Sequence, residues 1–90
     1  MRVVRERGSF RRDIAKVVDS GRCQWDEIAA VIALLRNDTP LPAHYRDHPL
    51  KGSKGFRDCH VRGDLLLIYE KTPGELHLLR LASHSEIFGR

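Results

Sequence analysis

The run FRDCHVRGDLLLIYEKTPGELHLLRL, residues 56–81, decides the fold. Two short breaks, Arg62-Gly63-Asp64 and Thr72-Pro73-Gly74, divide it into Phe56 to Val61, Leu65 to Glu70 and Glu75 to Leu81, each of which reads as a strand. Breaks of that length join antiparallel neighbours, so the run predicts a three-stranded meander. Leu65, Leu66, Leu67 and Ile68 are continuously apolar, the pattern of a strand covered on both faces, which puts this segment in the middle.

Working back from Phe56, residues 37–55 read as a loop, because Asn37 to Pro42 holds two prolines and three polar residues and cannot continue a helix. Before it, Ile28, Val31, Ile32 and Leu35 recur at helical spacing from Trp25 to Arg36, with Asp26 and Glu27 at the positive end of the helix dipole. A first helix runs from an expected N-cap at Ser9 through Phe10, Ile14, Val17 and Val18 until Gly21 stops it. Arg2 to Arg7, with Val3 and Val4 among charges, reads as an edge strand whose arginines discourage sheet-to-sheet pairing. The order β-α-α-β-β-β predicts an α+β fold, a two-helix hairpin packed on one face of a small twisted antiparallel sheet. Ninety residues allow this one domain, 1–90, and no second module.

Apolar residues at 41% beside charged residues at 31% describe a globular chain and exclude a disordered one. Two cysteines, Cys23 and Cys59, are too few for a disulfide scaffold and form no Cys-x-x-Cys pair, so reduced thiols in a cytoplasm are expected. No apolar run approaches the ~18 residues of a membrane span, and no membrane association is expected. Sixteen Lys and Arg against twelve Asp and Glu leave a charge of +4, which favours a polyanionic partner.

Five histidines, His44, His48, His60, His77 and His84, are many for this length. His48 is in a loop, His60 near the end of the first meander strand and His84 just past the last, and in a meander such positions can converge on one edge of the sheet. Their spacing does not form a metal motif, and neither a metal nor an organic cofactor is expected. Residues 44–62 add Arg46, Lys51, Lys54, Arg57 and Arg62 against Asp47 and Asp58, a net +3 (five minus two) suited to phosphates. No phosphate-cradling Gly-x-x-x-x-Gly-Lys-Ser/Thr loop exists, so nucleotide triphosphate hydrolysis has no support. Imidazoles within a cationic patch suit metal-free RNA cleavage: a base takes the 2′ proton, cations stabilise the crowded phosphorus, and an acid protonates the leaving 5′ oxygen. His48, His60, Asp64 and His84 are the candidates for proton transfer, with Arg57 and Lys51 or Lys54 for charge. Cys59 and His60 are consecutive on a strand and point to opposite faces, which argues against a thiolate–imidazole pair.

Four linked motifs, Asp47-His48-Pro49-Leu50-Lys51-Gly52, Gly55-Phe56-Arg57-Asp58-Cys59-His60-Val61, Asp64-Leu65-Leu66-Leu67-Ile68-Tyr69 and Ser83-His84-Ser85-Glu86-Ile87-Phe88-Gly89, resemble the YafQ branch of RelE-type bacterial toxins. The resemblance implies a toxin of a type II toxin–antitoxin system: a metal-independent endoribonuclease that cuts messenger RNA in the ribosomal decoding site. It also implies silencing by a cognate antitoxin, DinJ-like or another small protein, with operator DNA bound only through the antitoxin complex. By motif it implies His48, His60, Asp64 and His84 as catalytic residues, Asp58 as a supporting residue, Lys51, Lys54 and Arg57 as substrate-binding cations, and Phe88 as an aromatic that stacks on a base. The sequence departs from the pattern near Ser53-Lys54, at Phe56 in place of Tyr and at Leu65 in place of Trp, departures that bear on base stacking and codon preference. Two rivals stand beside it: a catalytically silent module that binds nucleic acid or antitoxin, which has no need of three such histidines, and a metal-dependent hydrolase, which a chelator would inactivate.

Overall fold

The computed structural model describes residues 1–89. Its elements are β1 (Val3–Glu6), α1 (Gly8–Asp19), α2 (Trp25–Arg36), a 3₁₀ turn (Ala43–Tyr45), β2 (His48–Pro49), β3 (Phe56–Arg62), β4 (Leu65–Thr72), β5 (Glu75–Ser83) and α3 (His84–Phe88). The expected helices and meander are present. The 3₁₀ turn and β2 lie inside the segment expected to be loop, and α3 lies in the expected tail. Two residues are too few to show a strand's alternation, and Pro49 is tolerated in β2 because that strand forms the outer edge of the sheet.

One five-stranded sheet runs in the order β1-β5-β4-β3-β2, with β4 central and its residues Leu65 to Tyr69 all buried. Three of its pairings are antiparallel, but β1 runs parallel to β5, from Val3 opposite Glu75 to Glu6 opposite Leu78. The sheet is therefore mixed where an antiparallel one was expected. No turn joins β1 to β5, so nothing local dictates their relative direction.

Pairing with β1 ends at Leu78, and α1 takes over the open side of β5. Its N-cap is Arg7, without a side-chain bond. Ser9, expected as the cap, stands inside the helix, where its hydroxyl donates to the Leu79 carbonyl at 2.7 Å. One turn further, Asp13 accepts the Leu81 amide at 2.9 Å and the Arg80 guanidinium at 2.6 and 3.3 Å. Side chains of a helix thus satisfy backbone groups that an edge strand would leave to another chain.

The same helix turns Phe10 and Val17 into the core, while Val18, expected on that face, is exposed. Ile28, Val31 and Leu35 of α2 meet them over Cys59, Leu67, Tyr69, Leu76 and Leu81 of the sheet. Each fully buried large aliphatic or aromatic side chain contributes about 1.5–3 kcal/mol. Leu66 and Ile68, of opposite parity on β4, face the side of the sheet that the helices leave uncovered.

Candidate active site

Strand parity sends Cys59 and Val61 into the helix-covered core and Asp58 and His60 to the other face. Register does the rest. His48 of β2 lies opposite Asp58, His60 lies opposite Leu66, and Leu66 lies opposite Ala82, two residues before His84. The result is a cleft of about 460 Å³ into which His48, Asp58, His60 and His84 converge. Leu50, Leu66, Lys51 and Phe88 complete its lining.

Asp58 is 4% exposed, and burial raises its carboxyl above the usual range, against the opposing pull of His48, His60 and His84 when those are charged. His48 Nε2 stands 2.9 Å from Asp58 Oδ1, an ion-pair distance, but off the line of a hydrogen bond, so that oxygen is buried without a donor. The other ring nitrogen of His48 donates to the Pro49 carbonyl at 2.9 Å. His60 Nδ1 donates to the Gly63 carbonyl at 2.8 Å, since a carbonyl can only accept. In the neutral ring that bond leaves the lone pair on Nε2.

His84 opens α3 and packs at a tilt of 47° against Phe88 four residues later, ring centroids 4.7 Å apart. Five residues cannot hold a helix by themselves. Three contacts fix this one: Ser83 and Glu86 form a reciprocal capping box, Arg22 binds Glu86 at 2.9 Å, and Asp64 Oδ1 accepts the His84 amide at 3.4 Å. The Ser83 amide and hydroxyl, then Arg22, hold the Glu86 carboxyl down at about 2.

Of the residues expected from sequence, His48, His60, His84, Asp58, Lys51 and Phe88 meet in this cleft. Asp64 stands beside it, on the β3–β4 turn, bound to the backbone of His84. Lys54 is exposed outside the lining. Arg57 lies on the opposite face of β3, with its guanidinium 3.2 and 3.4 Å from Asp47. Tyr69 donates its hydroxyl to the same carboxylate, so Asp47 ties the segment just before His48 to β3 and β4. Burial pushes the Cys59 thiol up to about 12, so it carries no thiolate chemistry. The apolar lining and the tie from Asp47 to Tyr69 escaped the sequence reading. Asp47 precedes His48 in a quoted motif, but its partner is 22 residues away in sequence. Among the described residues, no three His, Cys, Asp or Glu side chains are grouped as metal ligands, and no helix is long and apolar enough to cross a membrane.

Imidazoles and a buried carboxylate around one cleft, on a basic α+β domain, are groups of the kind that acid–base chemistry uses. The chain belongs to the YafQ family of bacterial toxins of type II toxin–antitoxin systems, whose family model matches residues 2–89. It is 40% identical over 84 residues to the mRNA interferase toxin YafQ of Escherichia coli, covering 91% of this chain and 90% of that one. A crystal structure of the Escherichia coli DinJ–YafQ complex superposes with a TM-score of 0.87 at 37% identity, covering 99% of this chain and all of its match. A metal-bound toxin from Helicobacter pylori superposes at 0.93, also with 37% identity, covering 98% of this chain and 100% of that one.

Proposed function

We propose that this chain is an mRNA interferase, a metal-independent endoribonuclease that cleaves messenger RNA on the ribosome and is restrained in the cytoplasm by a DinJ-like antitoxin. The observation that carries this reading is the convergence of His48, His60 and His84 with buried Asp58 in one cleft. Membership of the YafQ family supports it.

In this reading His60 is the general base. Its Nδ1 proton is engaged by Gly63, so Nε2 is free to take the proton from the 2′-hydroxyl. The 2′ oxygen then attacks phosphorus, and the bond from phosphorus to the 5′ oxygen breaks. His84 supplies the proton for that oxygen, and a 2′,3′-cyclic phosphate remains. Lys51 offsets the charge that builds on the phosphoryl oxygens, and Asp58 positions the His48 ring at the edge of the cleft. Asp64 acts by holding the backbone of His84, and Arg57 by holding Asp47 and hence the approach to His48. Both are positioning residues in this scheme. Phe88 stacks on a base, Lys54 attracts the RNA backbone, and operator DNA is met only through the antitoxin complex.

The test is cleavage of a defined mRNA in a reconstituted translation mixture, with and without ribosomes, a chelator selective for transition metals at constant free Mg²⁺, and a DinJ-like protein. Expected is cleavage that needs ribosomes, survives chelator and stops when the antitoxin is added. Loss of cleavage on chelation would favour a metal-dependent hydrolase. No cleavage by a folded chain that still binds its antitoxin would leave the silent module as the better account.

A further inference from the structure

A second groove, of about 430 Å³, adjoins the cleft and shares His60 with it. Its walls are the 3₁₀ turn, through His44 and Arg46, and the β3–β4 turn, through Arg62, Gly63 and Asp64. Arg46 has φ 50° and ψ 44°, a left-handed conformation that residues with side chains rarely adopt. The adjacent Asp47, gripped by Tyr69 and Arg57, holds the chain in place there.

The groove carries two guanidinium groups, those of Arg46 and Arg62. Arg2, Arg5, Arg11, Arg22, Arg57 and Arg80 each have a carboxylate partner. Arg46 has none among the described residues, and Arg62 is paired with Glu27 at 3.3 Å. Asp64, the one acid in the lining, is turned to the His84 amide. His44 packs at a tilt of 37° against Tyr45, ring centroids 4.1 Å apart, and leaves its own ring exposed beside the groove. Gly63 has open space where a side chain would project. An unpartnered guanidinium, an exposed imidazole platform and bare backbone are the parts that hold one phosphate and one base of a single strand.

We propose that this groove is the subsite for the nucleotide next to the scissile one on the same messenger RNA strand, with Arg46 on its phosphate and His44 beneath its base. The proposal rests on the nuclease reading above. A strand crossing His60 from the cleft enters the groove directly, so the subsite fixes where along the strand the 2′-hydroxyl meets Nε2.

The experiment is a chemical cycle on programmed ribosomes. Methylphosphonate, which is uncharged, replaces one mRNA phosphate at a time on either side of the cleavage position, and kcat/KM is measured for the native chain, Arg46→Asn and Arg46→Lys. Asn tolerates the left-handed backbone, so loss of the cation is separated from loss of the turn. Expected is one flanking position at which the neutral linkage slows the native chain about 10-fold, slows Arg46→Asn no further and slows Arg46→Lys again, since coupled groups are non-additive. Additivity at every position overturns the proposal, the arginine then serving ribosomal RNA or no RNA. Failure of the nuclease reading looks different: no variant, nor the native chain, cleaves any of the mRNAs.

Discussion

Replacing Asp58 by Asn is expected to stabilise the fold while disabling the site. In the native chain a carboxylate is nine-tenths buried, with one oxygen lacking a donor and a histidine at ion-pair distance. A buried polar atom without a partner costs about 1–3 kcal/mol, and more if charged. A neutral amide of the same shape relieves part of that, about 1–2 kcal/mol, which at about 4–8 °C per kcal/mol in a domain of this size raises Tm by about 4–16 °C. The pH dependence carries the sign. Burial raises the carboxyl in the folded state, so as pH climbs the unfolded chain gives up this proton first. Stability is then lost between the ordinary carboxylate range and the raised folded value, and the penalty is complete above it. Acids held low, such as Asp38, Glu75 and Glu86, act in the opposite sense, so the effect is read as a difference between the native chain and Asp58→Asn. Thermal unfolding by circular dichroism from pH 4 to pH 8 is the assay. The two should converge at the acid end and diverge toward neutrality, while cleavage falls about 10²-fold. An Asp58→Asn protein that is less stable at neutral pH, with an unchanged pH slope, would show a net-favourable ion pair with His48 and refute the reasoning.

Asp13→Ala leaves the Leu81 amide and Arg80 without their acceptor and should cost about 2–4 kcal/mol, whereas Asp13→Asn, which keeps an oxygen for Leu81, should cost clearly less; equal losses in a urea titration would contradict the bonding described. His60→Ala and His84→Ala should each slow cleavage about 10²-fold or more, and only the His84 variant should recover on an RNA whose leaving 5′ oxygen is replaced by sulfur; recovery of the His60 variant instead would reverse the assigned roles. Lys51→Glu with Lys54→Glu should flatten the dependence of log affinity for ribosomes on log salt, and an unchanged slope would make both lysines mere solvated charges. Tyr69→Phe, which removes one of the two side chains that hold Asp47 and leaves Arg57, should lower kcat while leaving KM for mRNA within about 2-fold, in keeping with loss of an interaction that aligns a group in the transition state; a rise in KM alone would place Asp47 in substrate binding.

The meander and both helices were legible because their signals are local and repeat over many residues: four successive apolar residues marked the central strand, and the Pro-Gly pair at residues 73–74 marked a turn. The converging histidines were legible only as positions on strand ends, and strand parity was enough to separate His60 from Cys59. Other features were not written locally. β2 has two residues and no period. Ser9 carries the mark of a cap, yet its hydroxyl is claimed by β5, 70 residues away. Arg57 reads as one more cation in a basic run, and only the partner across the sheet reveals that its charge is committed to Asp47. Asp64 lies near the acid–base set, but its contact is to the backbone of His84, which depends on where α3 begins.

The pairing of β1 with β5 has a consequence in time. Arg5 binds Glu75 across a separation of 70 residues, whereas every hairpin of the meander closes across a turn. Loop closure over so long a stretch is slow relative to local pairing. The α1–α2 hairpin and the β3–β4–β5 meander can form from neighbours, while the first strand waits for the last one to be in place. Until then the outer side of β5 carries open amides and carbonyls from Glu75 to Leu78. Folding intermediates of this chain therefore expose an adhesive edge that the finished protein conceals, and crowding at that stage leads toward association between copies.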